Sequence, residues 1–166
     1  MEIQRIPFAE IPQLSAKDVA YATAVPELRP FFKYEVKLES FGQVIKDKQH
    51  DPINRELLVN TLKKQYAPYN TSEKVLENIE ALAKDSTFTV VTAHQPSLFT
   101  GPLYYIYKIM SAINLAEQLN AKYPNNHIVP VFVSGGEDHD FEEICTMYLG
   151  REKKLGSTLE TTQVHQ

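Results

Sequence analysis

The 166-residue chain is 43% hydrophobic and 23% charged, with a formal net charge of −4, an ordinary globular balance that fits a single domain. That charge offers no broad cationic footprint for nucleic acid or for an anionic membrane surface. A single cysteine, Cys145, excludes an internal disulfide and points to a reducing cytoplasm, and no apolar run is long enough for a secretory leader or a bilayer span.

Residues 1–51 mix Pro7, Pro12, Pro26 and Pro30 with Phe31, Phe32, Tyr34 and Phe41 without sustained periodicity, which predicts short helical turns and irregular packing segments. Beyond Pro52, a favourable first-turn residue, INRELLVNTLKKQY carries Leu57, Leu58 and Leu62 among charges and predicts a helix that stops near Pro68. A second helix is expected from Thr71 or Ser72, whose hydroxyl can accept an orphan backbone N–H, to about Asp85. Its buried stripe is Leu76, Ile79 and Leu82 or Ala83. TFTVVT at 87–92 is short, rich in β-branched residues and closely followed by Pro96, as in a buried strand.

After the loop HQPSLFTG, the stretch PLYYIYKIMSAINLAEQLNAKY spaces Leu103, Ile106, Ile109, Met110, Ile113, Ala116 and Leu119 as a helix. The stripe is wide, which predicts that this helix is mostly covered. Pro124 and Asn125 end it, and IVPVFVS at 128–134 is a second strand-like run, in which Pro130 removes a ladder donor and is awkward for a central strand. GGEDHDFEE then leads into another helical start, with Cys145 a small buried hydrophobe, and the closing GREKKLGSTLETTQVHQ is polar and predicts no further unit.

Strand, helix and strand make one βαβ unit, with parallel strands, a right-handed crossover and ligands favouring the carboxyl ends of the strands. The expected organisation is therefore α/β, with a mainly helical or irregular segment at 1–86 packing on the first part of a Rossmann-like core at 87–166. Two strands are too small a sheet to stand alone, so the chain reads as truncated or as needing a partner.

Two clusters follow the strands. In the first, His94, Gln95, Thr100, Gly101 and Pro102 join a buried strand to a helix start. Free N–H groups and the helix dipole favour phosphate or carboxylate there, and Gly101 lets a ligand approach the main chain. The structural alternative is that Thr100 caps the helix, Pro102 fills its first turn and His94 satisfies loop carbonyls. One turn on, Lys108 could reach back to such an anion, while Tyr104, Tyr105 and Tyr107 fit packing against a sheet with hydroxyls at a polar edge. Neither the G-x-G-x-x-G nor the P-loop pattern is present.

In the second cluster, Gly135 and Gly136 precede Glu137, Asp138, His139 and Asp140. Three carboxylates and an imidazole in consecutive positions suit proton transfer to an amine, binding of a substrate ammonium, or metal ligation. The structural alternative is that Asp138 or Asp140 caps the next helix with Glu143 completing an acidic capping box; that cannot occupy all of the titratable residues. A metal at His94, His139 and the carboxylates is the weaker reading, because neither H-E-x-x-H nor a Cys/His finger occurs, and no metal is expected.

FTVVTAHQPSLFTGPLYYIYKIMSAINLAEQL together with VPVFVSGGEDHDFEEI resembles the core of the bacillithiol-biosynthesis cysteine-adding enzymes, also called cysteine ligases. The motifs LFTGPLYYIYK and GEDHDFEEI, within roughly residues 88–146, carry the resemblance. It implies a Rossmann-like nucleotide-binding core related to class I aminoacyl-tRNA synthetases, followed in the full-length parent by a connective domain and a dimer-forming coiled coil. The implied reaction condenses the carboxylate of cysteine with the amine of glucosaminyl-malate in the cytoplasm. If ATP activates the carboxylate, the resemblance makes the His94–Gly101 loop the nucleotide-facing element, with Lys108 supporting negative charge. The acidic run would handle the amine: Asp138 or Glu137 accepting its proton, and His139 orienting cysteine or donating a hydrogen bond. On this reading the chain by itself is inactive. The competing expectations are a nucleotidyltransferase that activates another small acid, and a non-catalytic anion-binding or assembly module.

Overall fold

The computed structural model describes residues 4–97, 101–136, 146–149 and 152–155. Its backbone contacts divide the chain into two units, Met1–Pro52 and Ile53–Gln166.

In the first unit, 3-10 turns at Phe8–Glu10, Pro26–Phe31 and Leu38–Ser40 alternate with helices α1 (Ala16–Ala22) and α2 (Phe41–Lys48). α1 begins at a capping box: the Ser15 hydroxyl accepts from the Asp18 N–H, and the Asp18 carboxylate accepts from the Ser15 N–H. It ends with Ala24 at φ 53°, while the Val25 N–H reaches the Ala20 carbonyl and the Ala24 N–H reaches that of Tyr21, which is a Schellman closure with alanine where glycine is usual. Asp47 on α2 gathers the Lys33 ammonium at 2.8 Å, the Tyr34 hydroxyl at 2.6 Å and the Gln43 amide at 2.7 Å.

The second unit contains α3 (Arg55–Tyr66), α4 (Glu73–Ala81), β1 (Thr87–His94), α5 (Leu103–Lys122), β2 (His127–Ser134), β3 (Thr146–Leu149) and β4 (Glu152–Leu155). α3 starts three residues past Pro52, because Asn54 caps it by accepting the Leu57 N–H at 3.0 Å. Its buried residue is Val59, while Leu57 and Leu58 face solvent. Ser72 precedes α4 without a side-chain cap, and Val75, Ile79 and Leu82 face inward, leaving Leu76 exposed.

β1 and β2 pair in parallel from Thr87 opposite His127 to His94 opposite Ser134, with α5 as the crossover. Val129 joins Val59, Ile79 and Leu82 in one core, flanked by Val131, whereas Phe132 meets the Tyr105 ring of α5 at 5.2 Å. By strand alternation these residues lie on opposite faces, so the sheet is packed between α3–α4 and α5. Arg55 ties the first layer down, its guanidinium donating to the carbonyls of Leu82 at 2.9 Å and Thr87 at 3.2 Å.

The structure also explains Pro130. The Asn120 side chain donates to the Ile128 carbonyl at 2.9 Å and accepts the Ile128 N–H at 2.8 Å, so Ile128 turns its backbone polar groups away from β1. Pro130, two residues on, turns the same way, and its missing N–H removes no β1–β2 bond.

α5 departs from the expectation of broad coverage. Ala112, Ala116 and Leu119 are buried, but Leu103, Ile106 and Met110 stay exposed, so only the C-terminal half is well covered among the described residues. An unexpected feature straddles the start of the polar tail: β3, just before it, and β4, within it, form an antiparallel pair from Thr146 opposite Leu155 to Leu149 opposite Glu152. No helix among the described residues is long and apolar enough to cross a membrane.

Candidate functional site

The parallel register brings the ends of β1 and β2 together, and the chain leaves both strands at the same edge. The Gly135 N–H donates to the His94 carbonyl at 3.0 Å, pinning the segment after β2 to the last residue of β1. α5 begins at Leu103, just after Gly101 and Pro102, and runs back along the sheet. Loop, helix start and second strand end thus meet at the carboxyl edge, where open parallel sheets receive ligands.

His94 is the hub of this edge. Its Nδ1 lies 2.8 Å from the Gln95 carbonyl oxygen and its Nε2 lies 2.8 Å from the Tyr104 hydroxyl. The ring centroids of Tyr104 and Tyr105 lie 5.2 Å and 5.0 Å from the imidazole. Tyr105 passes the packing on to Phe132 of β2. The three tyrosines at the start of α5 therefore differ in role: Tyr105 packs on the sheet, Tyr104 is 53% exposed with its hydroxyl on His94, and Tyr107 is exposed.

Lys108, one turn further along α5, reaches back and donates from Nζ to the Ala93 carbonyl at 2.8 Å. An ammonium has three protons, so this bond leaves donors for an anion at the same edge.

Gly101 has φ +63°, and a Cβ there would sit 2.6 Å from the Ser97 Cβ and 2.9 Å from its hydroxyl. Both the left-handed backbone and the close approach of Ser97 require glycine. At Gly136 an added Cβ would meet nothing within 4 Å, and at Gly135 only the His94 carbonyl at 3.9 Å.

The structure thus brings His94, Gln95, Tyr104, Lys108, Gly101, Pro102 and Gly135 to one edge. Pro102 stands at the N-cap position rather than inside the first turn. Thr100, the acidic run Glu137, Asp138, His139 and Asp140, and Cys145 lie outside the described residues. Among the described residues no group of three or more His, Cys, Asp and Glu side chains is placed to hold a metal ion. Two participants were not singled out from the sequence: Phe132, which backs Tyr105, and the Ala93 carbonyl that receives Lys108. Backbone acceptors carry no residue-type signal, and Phe132 read simply as strand core.

A separate cavity of about 400 Å³ opens at the opposite, amino-terminal edge of the strands, lined by Lys74, Asn78, Lys84, Asn125 and His127 among others.

Comparison with known proteins adds lineage to this geometry. The family described as "Bacillithiol biosynthesis BshC, N-terminal Rossmann-like domain" matches residues 1–166. The chain is similar to proteins named "Putative cysteine ligase BshC". That of Flavobacterium johnsoniae is 48% identical over 126 residues, 75% of this chain and 24% of the relative. That of Flavobacterium psychrophilum is 45% identical over 129 residues, 76% of this chain and 24% of the relative. That of Cytophaga hutchinsonii is 38% identical over 162 residues, 98% of this chain and 31% of the relative. The chain therefore spans about a quarter to a third of the length of these relatives.

Proposed function

Because the chain belongs to the bacillithiol biosynthesis BshC family and carries its N-terminal Rossmann-like domain, we propose that it forms the first part of a cytoplasmic ligase. That ligase joins the carboxylate of cysteine to the amine of glucosaminyl-malate. The observation that carries this reading is the carboxyl edge of β1 and β2, where His94, Tyr104, Lys108 and the Gly135 N–H converge at the start of α5. A helix start, an ammonium and an imidazole–phenol pair side by side suit a small anionic acyl donor that reacts with an amine.

Carboxylate and amine do not condense unaided in water, so the carboxyl needs activation, and ATP is the co-substrate we assign. The segment His94–Gly101 and the Lys108 ammonium are the residues that would face its phosphates, in the manner of a class I synthetase core. Glu137, Asp138, His139 and Asp140 follow β2 directly and are assigned to the amine substrate. The rest of the cleft is assigned to the portion of the relatives that this chain does not span, including a coiled coil through which the whole enzyme dimerises. On that division of labour the chain binds but does not turn over by itself.

The test is product formation by the full-length protein that carries this domain, given cysteine and glucosaminyl-malate with and without ATP. The expected result is the cysteinyl amide only when ATP is present, and none from the 166-residue chain alone. Amide formation without nucleotide would remove ATP from the account. No amide under either condition would overturn the ligase reading.

A further inference from the structure

The hydrogen bonds around His94 select the tautomer of its neutral ring. The Gln95 carbonyl can only accept, so its 2.8 Å bond to Nδ1 requires a proton on Nδ1. A neutral imidazole protonated there has its lone pair on Nε2, and the 2.8 Å contact with Tyr104 then has the phenol donating. The backbone of the next residue thus selects the tautomer, and the tautomer orients the tyrosine hydroxyl. Tyr105, wedged between His94 and Phe132, and the Gly135 bond to the His94 carbonyl hold the ring in place.

Tyr104 is half exposed. With its proton directed at Nε2, its oxygen keeps lone pairs for an incoming donor. Among the described residues, the titratable and charged groups around the pair on α5 are Tyr105 and Lys108, the latter bonded to the Ala93 carbonyl, and β2 brings Phe132, which carries no charge.

We propose that Tyr104 is the catalytic proton acceptor for the amine nucleophile, in place of the Glu137 or Asp138 that the family resemblance implies and which then serve to bind the amine, with His94 as the positioning residue that takes up the phenol proton. This assignment rests on the ligase reading. The acyl donor is a cysteine carboxyl activated by a nucleoside triphosphate as an acyl phosphate or acyl adenylate. As the amine nitrogen bonds to the acyl carbon, the bond from that carbon to its phosphate oxygen breaks and its electron pair leaves with the phosphate. The amine proton passes to the Tyr104 oxygen and the phenol proton passes to His94 Nε2. The phenol ends unchanged and His94 ends as imidazolium, which returns its extra proton to solvent.

The test has two arms. In the full-length enzyme, Tyr104→Phe keeps the ring on His94 and removes the relay, and is expected to lower kcat on the order of 100-fold, with KM for the amine changed by less than about threefold. His94→Asn keeps a donor for the Gln95 carbonyl but has no basic nitrogen to take up the phenol proton, and should lose a similar factor. The double variant should be no worse than the poorer single one, because both remove one pathway. Wild-type kcat in Tyr104→Phe, or losses that multiply in the double variant, would overturn the relay. A wild-type enzyme that forms no amide would instead overturn the ligase reading, and this catalytic use with it.

The second arm needs no substrate. Nitrogen-15 imidazole spectra of the histidine-labelled full-length enzyme, without substrates, should show His94 protonated at Nδ1 and bare at Nε2, with the Nε2 resonance moving in Tyr104→Phe. The opposite tautomer would overturn the proposal, whatever the kinetics.

Discussion

Asp47 accepts hydrogen bonds from Lys33, Tyr34 and Gln43, and its carboxyl is held well below the usual carboxylate range, chiefly by the Lys33 ammonium and then by the Tyr34 and Gln43 donors. A carboxyl lowered in the folded state contributes stability above its unfolded pKa, near pH 4, and that contribution is lost as pH falls through the depressed folded value. This contribution to wild-type thermal stability should therefore fade below about pH 4. Asp47→Asn should melt lower at neutral pH and show a shallower acid dependence; identical acid slopes in scanning calorimetry would contradict the assignment. Asp18, lowered by its bonds to Ser15, remains in both proteins and leaves a residual slope. No periodic pattern in the sequence announces the Asp47 cluster, because Lys33 and Tyr34 lie in irregular chain well before α2 begins at Phe41. For Lys108, by contrast, one helical turn limits where a long side chain can reach, and the structure sets it on the Ala93 carbonyl.

Among the elements, the β1–α5–β2 unit was readable because three independent signals coincide: a β-branched run, a helical stripe and a second apolar run. What escaped depends on side chains acting at a distance in sequence. Asn120 looks like an ordinary polar residue near a helix end, yet it satisfies both backbone polar groups of Ile128, which is only 3% exposed. Asn120→Ala strands a buried N–H and C=O together and should cost about 2 kcal/mol in chemical denaturation. A loss under about 0.5 kcal/mol would mean that Ile128 finds other partners. The same pairing accounts for Pro130, whose position seemed to argue against a strand. The width of the α5 stripe misled for a different reason: periodicity identifies an apolar face but not what covers it, and Leu103, Ile106 and Met110 remain exposed among the described residues.

On the scale of the whole molecule, the second unit is a Rossmann-like beginning in which α3 and α4 cover one face of two parallel strands and α5 covers the other. Parallel sheets are normally buried on both faces, yet Val91 and Val133, toward the carboxyl ends, are 57% and 47% exposed. The β3–β4 pair was not legible, because TMYL and EKKL are short and EKKL lacks alternating hydrophobicity. The first candidate cluster was legible as a place, since a strand, a Gly-Pro turn and a helix in that order must bring the loop to a strand end. The pairing of His94 with Tyr104 was not, because it depends on the rotation of α5 about its axis. The acidic run after β2 lies outside the described residues.

The proposed function makes the carboxyl edge of β1 and β2 the ligand-binding edge of this domain. A nitrogen-15 NMR titration of the chain with ATP, and separately with cysteine, tests it most directly. Saturable amide shifts at Gln95, Gly101, Tyr104, Lys108 and Gly135 are expected. Shifts concentrated at Lys74, Lys84 and His127 on the opposite edge, or no saturable shift at all, would contradict that assignment.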